Sequence, residues 1–299
     1  MLLPPTGHES VLLNECLDAL NPCPGKTIID CTTGRGGHSL AIATLLGPQG
    51  MLLCLDVDPK NLEFARGRLK DAPCRVRFFH ANFAELPEVM EAAELTSVDG
   101  ILADLGLSTN QFLDPSYGIS FSMNGPLDMR LDPRIPETAA DIVNKFREED
   151  LANLLYQLAD ERFSRRIARK IVDARRSAPI TSTEQLASLV RGAIGRSGAS
   201  EKIDPATRTF MALRMKVNRE VESLKSLMEQ TPKVLKRGGR AAIISFHSVE
   251  DRMVKQAFRF AEQTGLIRII TKKPITPTDQ EIASNPRSRS AKLRIAEKI

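Results

Sequence analysis

Tryptophan is absent from the 299 residues, tyrosine occurs twice, and aromatics make up 5% of the chain. A nucleic-acid platform built on stacked aromatic side chains is therefore not expected. The five cysteines (Cys16, Cys23, Cys31, Cys54, Cys74) contain no CxxC pair. They read as buried thiols of a reducing cytoplasm, not as a disulfide framework or a zinc site. The four histidines (His8, His38, His80, His247) show no metal-ligand spacing, so no metal is expected. No run of about 18 apolar residues occurs, and Met1-Leu2-Leu3-Pro4-Pro5 lacks a basic start and an apolar stretch. Neither export nor membrane insertion is expected. No internal repeat is visible.

What remains is an ordinary globular composition, 42% hydrophobic and 26% charged, with a net charge of +5. That balance permits nucleic-acid binding without requiring it. The length suits one large domain or two modest ones. A short helix over His8–Leu20 is expected first. Strands then alternate with helices: Thr27–Asp30, helix His38–Leu46, Met51–Asp56, helix Lys60–Leu69, Arg75–His80, a further helix, and Val98–Asp104. Met51–Asp56 is a continuous apolar run ending in an acid, the pattern of a parallel strand buried on both faces. Asp58 and Pro59 make an N-cap and first position for the following helix. This alternation predicts a parallel, doubly wound sheet.

The rhythm then breaks. Between 111 and 207 there is no convincing apolar strand, only a Gly/Pro-marked loop (Asp114–Pro136) and helical patterns over Thr138–Asn144, Glu148–Asp173 and Thr183–Ile194. We read 111–207 as an all-helical insertion, flanked by a discontinuous domain of 1–110 and 208–299. The α/β pattern resumes with a helix over Thr209–Glu229, a strand Gly239–Phe246 and a helix Val249–Glu262. Strands Leu266–Lys273 and Lys292–Lys298, joined by Pro274–Ser290, would pair antiparallel. Seven strands with an antiparallel last pair match a class I methyltransferase sheet better than a dehydrogenase sheet.

The chemistry is organised around Thr27-Ile28-Ile29-Asp30-Cys31-Thr32-Thr33-Gly34-Arg35-Gly36-Gly37-His38-Ser39. A strand feeding a glycine turn and a helix start presents bare N–H groups and a positive dipole end to a ligand. Ser39 stands where a third glycine of GxGxxG would fall, which argues against a dinucleotide and leaves room for S-adenosylmethionine. The alternative is a merely tight turn. Asp56, ending the second strand, is placed to accept both hydroxyls of a ribose; as a helix cap it would be redundant with Asp58. Phe83 either lies against an adenine or fills the core. Asp104 ends the fourth strand, beside the switch point of the sheet.

A basic stripe runs from Arg162 to Arg176, with Arg165, Arg166, Arg169 and Lys170 between them and Asp173 its single acid. Phe163, Ile167 and Ile171 form its apolar edge, so many of the cations face outward. They either bind phosphates or form a solvated face. Arg208, Arg214, Lys216 and Arg219, and the tail cations Arg287, Arg289 and Lys292, would extend the footprint.

Several blocks carry a specific resemblance: Gly34–Ser39, Asp104-Leu105-Gly106-Leu107-Ser108, Asn124–Arg130, Pro205–Phe210, Ile244–Ser248 and Asn285–Ser290. In this order, over nearly the whole chain, they resemble the RsmH (MraW) family. The resemblance implies S-adenosylmethionine-dependent methylation of N4 of a cytosine in 16S ribosomal RNA of the small subunit, near the decoding centre. It implies S-adenosylhomocysteine as product, an assembling 30S subunit as particle, and a homodimer. It assigns Gly36, Gly37, His38, Asp56, Phe83, Asp104 and Gln111 to the cofactor. Asp128, Arg130, Ser245 and His247 fall on the substrate side by the same blocks; Arg165, Arg166, Arg169 and Arg208 join them from the charge pattern, as candidate phosphate contacts. Two departures stand out: Cys31 where the family has a smaller residue, and Gly118-Ile119-Ser120-Phe121 in place of Gly-Phe-Ser-Phe.

Cytosine N4 is a poor nucleophile while its lone pair is delocalised into the ring. An acceptor for one N4 hydrogen, Asp104 or the Leu105 carbonyl, would favour the pyramidal nitrogen. A target base must also be splayed from its stack to reach a pocket. Asp104 as cofactor ligand only is the other reading. Two further functions stay open: a non-catalytic RNA-binding factor on this fold, and a methyltransferase for DNA or a small molecule.

Overall fold

The computed structural model describes residues 10–195 and 204–299. The expected helix start at His8 and part of the expected insertion (196–203) lie outside the described residues. The chain packs as two units, one of Met1–Ser108 with Glu222–Ile299, the other of Thr109–Val221.

The first unit opens with α1 (Leu13–Leu20), β1 (Thr27–Asp30), α2 (Gly37–Leu46), β2 (Met51–Asp56), α3 (Pro59–Arg68), β3 (Arg75–His80), α4 (Leu86–Ala92) and β4 (Val98–Asp104). Asp58 caps α3 by accepting the Lys60 N–H at 2.9 Å, with Pro59 at the first helical position. Alternating side chains serve opposite faces of the sheet. Ile29, Leu53, Leu55 and Ile101 join one core cluster, and Ile28, Leu52, Cys54 and Leu102 join the other. The strands are therefore apolar on both sides. Cys16, Cys31, Cys54 and Cys74 are buried free thiols.

The second unit contains α5 (Thr109–Leu113), α6 (Ala139–Lys145), α7 (Glu148–Ala159), α8 (Ser164–Arg175), α9 (Thr183–Ile194) and α10 (Ala206–Val217). The sequence suggested one helix over Glu148–Asp173. Asp160 breaks it by turning left-handed (φ 50°), and the chain restarts at Ser164. Thr138 and Ser182 close capping boxes on α6 and α9. The loop before α6 folds back on itself, with Gly118 at φ 63° and so close to the Pro126 carbonyl that a Cβ would collide with it.

The helix expected over Thr209–Glu229 is also two. Arg219 takes φ 51°, while the Asn218 side chain accepts from Leu131 N–H and donates to the Met129 carbonyl, both at 2.8 Å. A long-range polar clamp thus ends α10, which belongs to the helical unit.

The chain then runs through α11 (Glu220–Val234), β5 (Leu235–Ser245), α12 (Ser248–Gln263), β6 (Ile267–Ile269), α13 (Asp279–Ser284) and β7 (Lys292–Lys298). The sheet order is β3-β2-β1-β4-β5-β7-β6. β7 is antiparallel to both β5 and β6, and the other pairs are parallel. This is the class I methyltransferase arrangement. β5 starts earlier than expected because a register shift absorbs Gly238 and Gly239. β6 is shorter than Leu266–Lys273, since the Ile270 and Thr271 N–H groups converge on one carbonyl, Ile295, and the ladder stops. Among the described residues no helix is long and apolar enough to cross a membrane.

Candidate active site

In a parallel sheet the strand carboxyl ends expose ligand-facing backbone, and here β1, β2 and β4 each end in an acid. Asp30 is buried at the end of β1. Its Oδ2 accepts from the Ser39 hydroxyl at 2.6 Å and its Oδ1 from Thr32 N–H at 3.1 Å. Burial pushes its carboxyl up to about 6, against those two hydrogen bonds. Asp56 is buried likewise and accepts from Gly34 N–H at 2.7 Å and Asp58 N–H at 2.8 Å. Burial raises it to about 7.

The glycine turn hangs from these acids. Gly34 (φ 52°) donates to Asp56, and Gly36 (φ 76°) is the left-handed cap of α2. A Cβ on Gly37 would fall on the Ser10 hydroxyl, so backbone and chain approach closely there. These positions need glycine for conformation and for space.

Asp104 is anchored through its backbone, its N–H donating to Thr32 Oγ1 at 2.7 Å. Its side chain is 14% exposed, and Oδ2 lies 3.8 Å from His38 Nδ1. Nε2 of His38 sits 2.9 Å from the Val11 carbonyl, so Nε2 carries the donating proton and Nδ1 faces Asp104. Asp104 Oδ1 is buried with no hydrogen-bond partner. Burial, then the negative charges of Asp30 and Glu250, hold its carboxyl well above the usual range. A buried carboxylate oxygen without a partner is costly, and an incoming cation or N–H donor would relieve it. At Asp104 the cradle therefore suits a positive centre or an N–H donor.

The remaining sequence-predicted residues divide. Phe83 begins a short 3-10 turn and is partly buried against the core beneath α4. The Ala81 N–H, bonded to the Asp56 carbonyl at 3.1 Å, keeps that turn by the end of β2. Gln111 is buried on α5 of the helical unit. Ser245 is buried, its hydroxyl 3.4 Å from the Lys292 carbonyl. His247 caps α12: Nδ1 accepts from Glu250 N–H at 3.4 Å, and Nε2 lies 3.1 Å from Glu250 Oε1. Both thus hold the junction of β5 and α12.

In the helical unit Asp128 and Arg130 face each other in a bidentate pair (2.7 and 2.8 Å), and Arg130 also donates to the Ile135 carbonyl. The pair holds Asp128 below the usual carboxylate range against the opposing effect of its burial. Arg165, Arg166, Arg169 and Lys170 line a groove of about 400 Å³ on α8 with Ala193 of α9. Arg169 approaches Glu148 at 3.4 Å. Arg175, by contrast, spends its guanidinium on the Val143 and Phe146 carbonyls, which removes it from the stripe. Arg208 is half-buried on α10.

Sequence reasoning missed Thr32 and the Asn61–Ser108 contact (3.4 Å) that ties the loop after β4 to α3. Only the third dimension shows that the Thr32 hydroxyl reaches the neighbouring strand's end.

The family model described as "MraW methylase family" matches residues 5–299. Among curated relatives, the ribosomal RNA small subunit methyltransferase H of Acidobacterium capsulatum is 46% identical over 299 residues, covering 97% of this chain and 98% of that protein. The protein of the same name from Syntrophobacter fumaroxidans is 44% identical over 310 residues, covering 99% and 97%. That from Clostridioides difficile is 38% identical over 307 residues, covering 98% and 99%.

Proposed function

The chain belongs to the MraW methylase family, and on that footing we propose that it methylates N4 of a cytosine in small-subunit ribosomal RNA. The methyl donor is S-adenosylmethionine, which supplies a sulfonium methyl when bound. The observation that carries this reading is the trio of strand-end acids around the glycine turn, with Asp104 Oδ1 buried and unpartnered. Asp56 accepts the two ribose hydroxyls, and the backbone of Gly36, Gly37 and His38 faces the amino-acid end. Phe83 covers the adenine side, and the family resemblance counts Gln111 among the cofactor contacts.

Asp104 acts on the amine. Its Oδ1 accepts an N4–H, drawing the nitrogen out of conjugation, and it takes the proton that the product amine must lose. His38, whose Nε2–H donates to the Val11 carbonyl, sets its Nδ1 beside the other carboxylate oxygen. Contacts that align the two reactants supply most of the acceleration, up to ~7–11 kcal/mol. Arg165, Arg166, Arg169 and Arg208 bind RNA phosphates. Asp128 and Arg130 shape the loop on the substrate side, and Ser245 and His247 fix the β5–α12 junction. The family resemblance extends to a target near the decoding centre, an assembling 30S subunit as the particle, a cytoplasmic location and a homodimer.

Methyl transfer from labelled donor to purified small-subunit RNA tests the assignment. Asp104→Ala is expected to cut kcat by roughly 10²–10⁴-fold, with S-adenosylhomocysteine affinity within a few-fold and an unchanged melting temperature. Wild-type turnover in that variant removes Asp104 from the mechanism.

A further inference from the structure

The first unit carries a second concentration of positive charge. A groove of about 320 Å³ runs between α12 and the β6–β7 edge, lined by Lys255, Arg259, Lys272, Thr271 and Arg294 above Phe258. Arg252 stands one helical turn before Lys255, and Lys273 follows Lys272, both exposed.

The state of these cations distinguishes them. Arg268 is held by Glu297 at 2.7 Å, Arg240 by the same Glu297 at 2.9 Å, and Arg294 by Asp251 at 2.7 Å. Glu262, the acid at the groove wall, spends an oxygen on Ile269 N–H at 2.8 Å. Arg252, Lys255, Arg259, Lys272 and Lys273 have no acidic partner among the described residues. Surface cations usually find a neighbouring carboxylate when one is at hand. Three of the five, Lys255, Arg259 and Lys272, line the groove itself, and with Arg252 and Lys273 beside them in the chain they leave a field open to an anion. Arg252, Lys255 and Arg259 follow one another at three- and four-residue steps along α12, a row that suits a chain of phosphates better than one small anion.

We propose that this α12 groove is a second RNA phosphate-binding surface, additional to the α8 stripe. The inference rests on the ribosomal RNA reading above and adds where the first unit holds that RNA. Each neutralised phosphate releases counterions, so each cation that meets one adds to the salt dependence of binding.

The test compares wild type, the triple variant K255Q/R259Q/K272Q, and the control K236Q, whose lysine is already paired with Asp99 at 2.9 Å. Filter binding to small-subunit RNA across a salt series gives the slope of log Kd against log salt. The triple variant is expected to lose about 2 from that slope, with S-adenosylmethionine affinity and melting temperature unchanged; the control keeps the wild-type slope. An unchanged slope in a triple variant that still methylates RNA overturns the groove while sparing the wider reading. A wild type that neither binds nor methylates RNA overturns both. Loss of binding to anionic phospholipid vesicles with an unchanged RNA slope would assign the face to a membrane instead and also overturn the proposal.

Discussion

Asp56 is the residue at which chemistry and pH meet. To accept both ribose hydroxyls it must be ionised, yet burial sets its carboxyl at about 7. S-Adenosylhomocysteine binding should therefore weaken by up to tenfold per pH unit as the solution is acidified below about 7; a flat calorimetric profile from pH 5.5 to 8 would exclude Asp56 as ribose acceptor. The sulfonium donor carries a positive charge that its product lacks, so its affinity should fall more steeply on acidification, because Asp104 must also give up its proton. The same acids bear on stability. Asp30 and Asp56 titrate higher in the folded chain than the ordinary 3.8. Between roughly pH 4 and 7 the folded state thus binds more protons than the unfolded, and the ligand-free protein loses stability as pH rises through that window. Thermal melts at pH 5.5 and 8 read this directly, with the lower melting point expected at pH 8. The strand-end acids were legible in the sequence because each closes an apolar run. Ser39 was legible only as a missing glycine. Its hydroxyl in fact donates to Asp30, a role that depends on the helix turning its first residues back over β1.

At the scale of elements, β1, β2 and β4 were readable because burial on both faces forces apolar runs, whereas β3, at the sheet edge, alternates cations with apolar residues. The breaks were not readable. Asp160 and Arg219 adopt left-handed backbone without being glycine, so the helical periodicity passed through them. At Arg219 the cause is the Asn218 clamp, whose partners lie far off in sequence. Two substitutions probe what was read correctly and what was not. Asp58→Ala removes the α3 cap and should cost about 1 kcal/mol, seen as a melting point lower by about 2–4 °C. Gly118→Ala places a methyl on the Pro126 carbonyl in a left-handed turn, a collision that backbone cannot relieve. A loss of more than ~3 kcal/mol is expected, with the near-ultraviolet signal of Tyr117 altered. A near-neutral Gly118→Ala would show the loop to be looser than its hydrogen bonds imply.

For the whole molecule, a net charge of +5 says little until its distribution is known. The cations are unevenly used: many are tied to carboxylates or carbonyls, while α8 carries a row of exposed ones, Arg165, Arg166, Arg169 and Lys170. Replacing Arg165, Arg166 and Arg169 with glutamine should flatten the salt dependence of RNA binding by about 2; an unchanged slope would make the α8 stripe a solvated face. The central claim is that the acids and glycine turn at the sheet's carboxyl edge deliver a methyl group to a cytosine amine of ribosomal RNA. Mass-spectrometric mapping of methylated nucleosides in small-subunit RNA, after incubation with this protein and S-adenosylmethionine, tests it most directly. One N4-methylated cytidine, gained with wild type and missing with Asp104→Ala, is the predicted result. RNA left unmodified by wild type, or methylated on an atom other than N4, would contradict it.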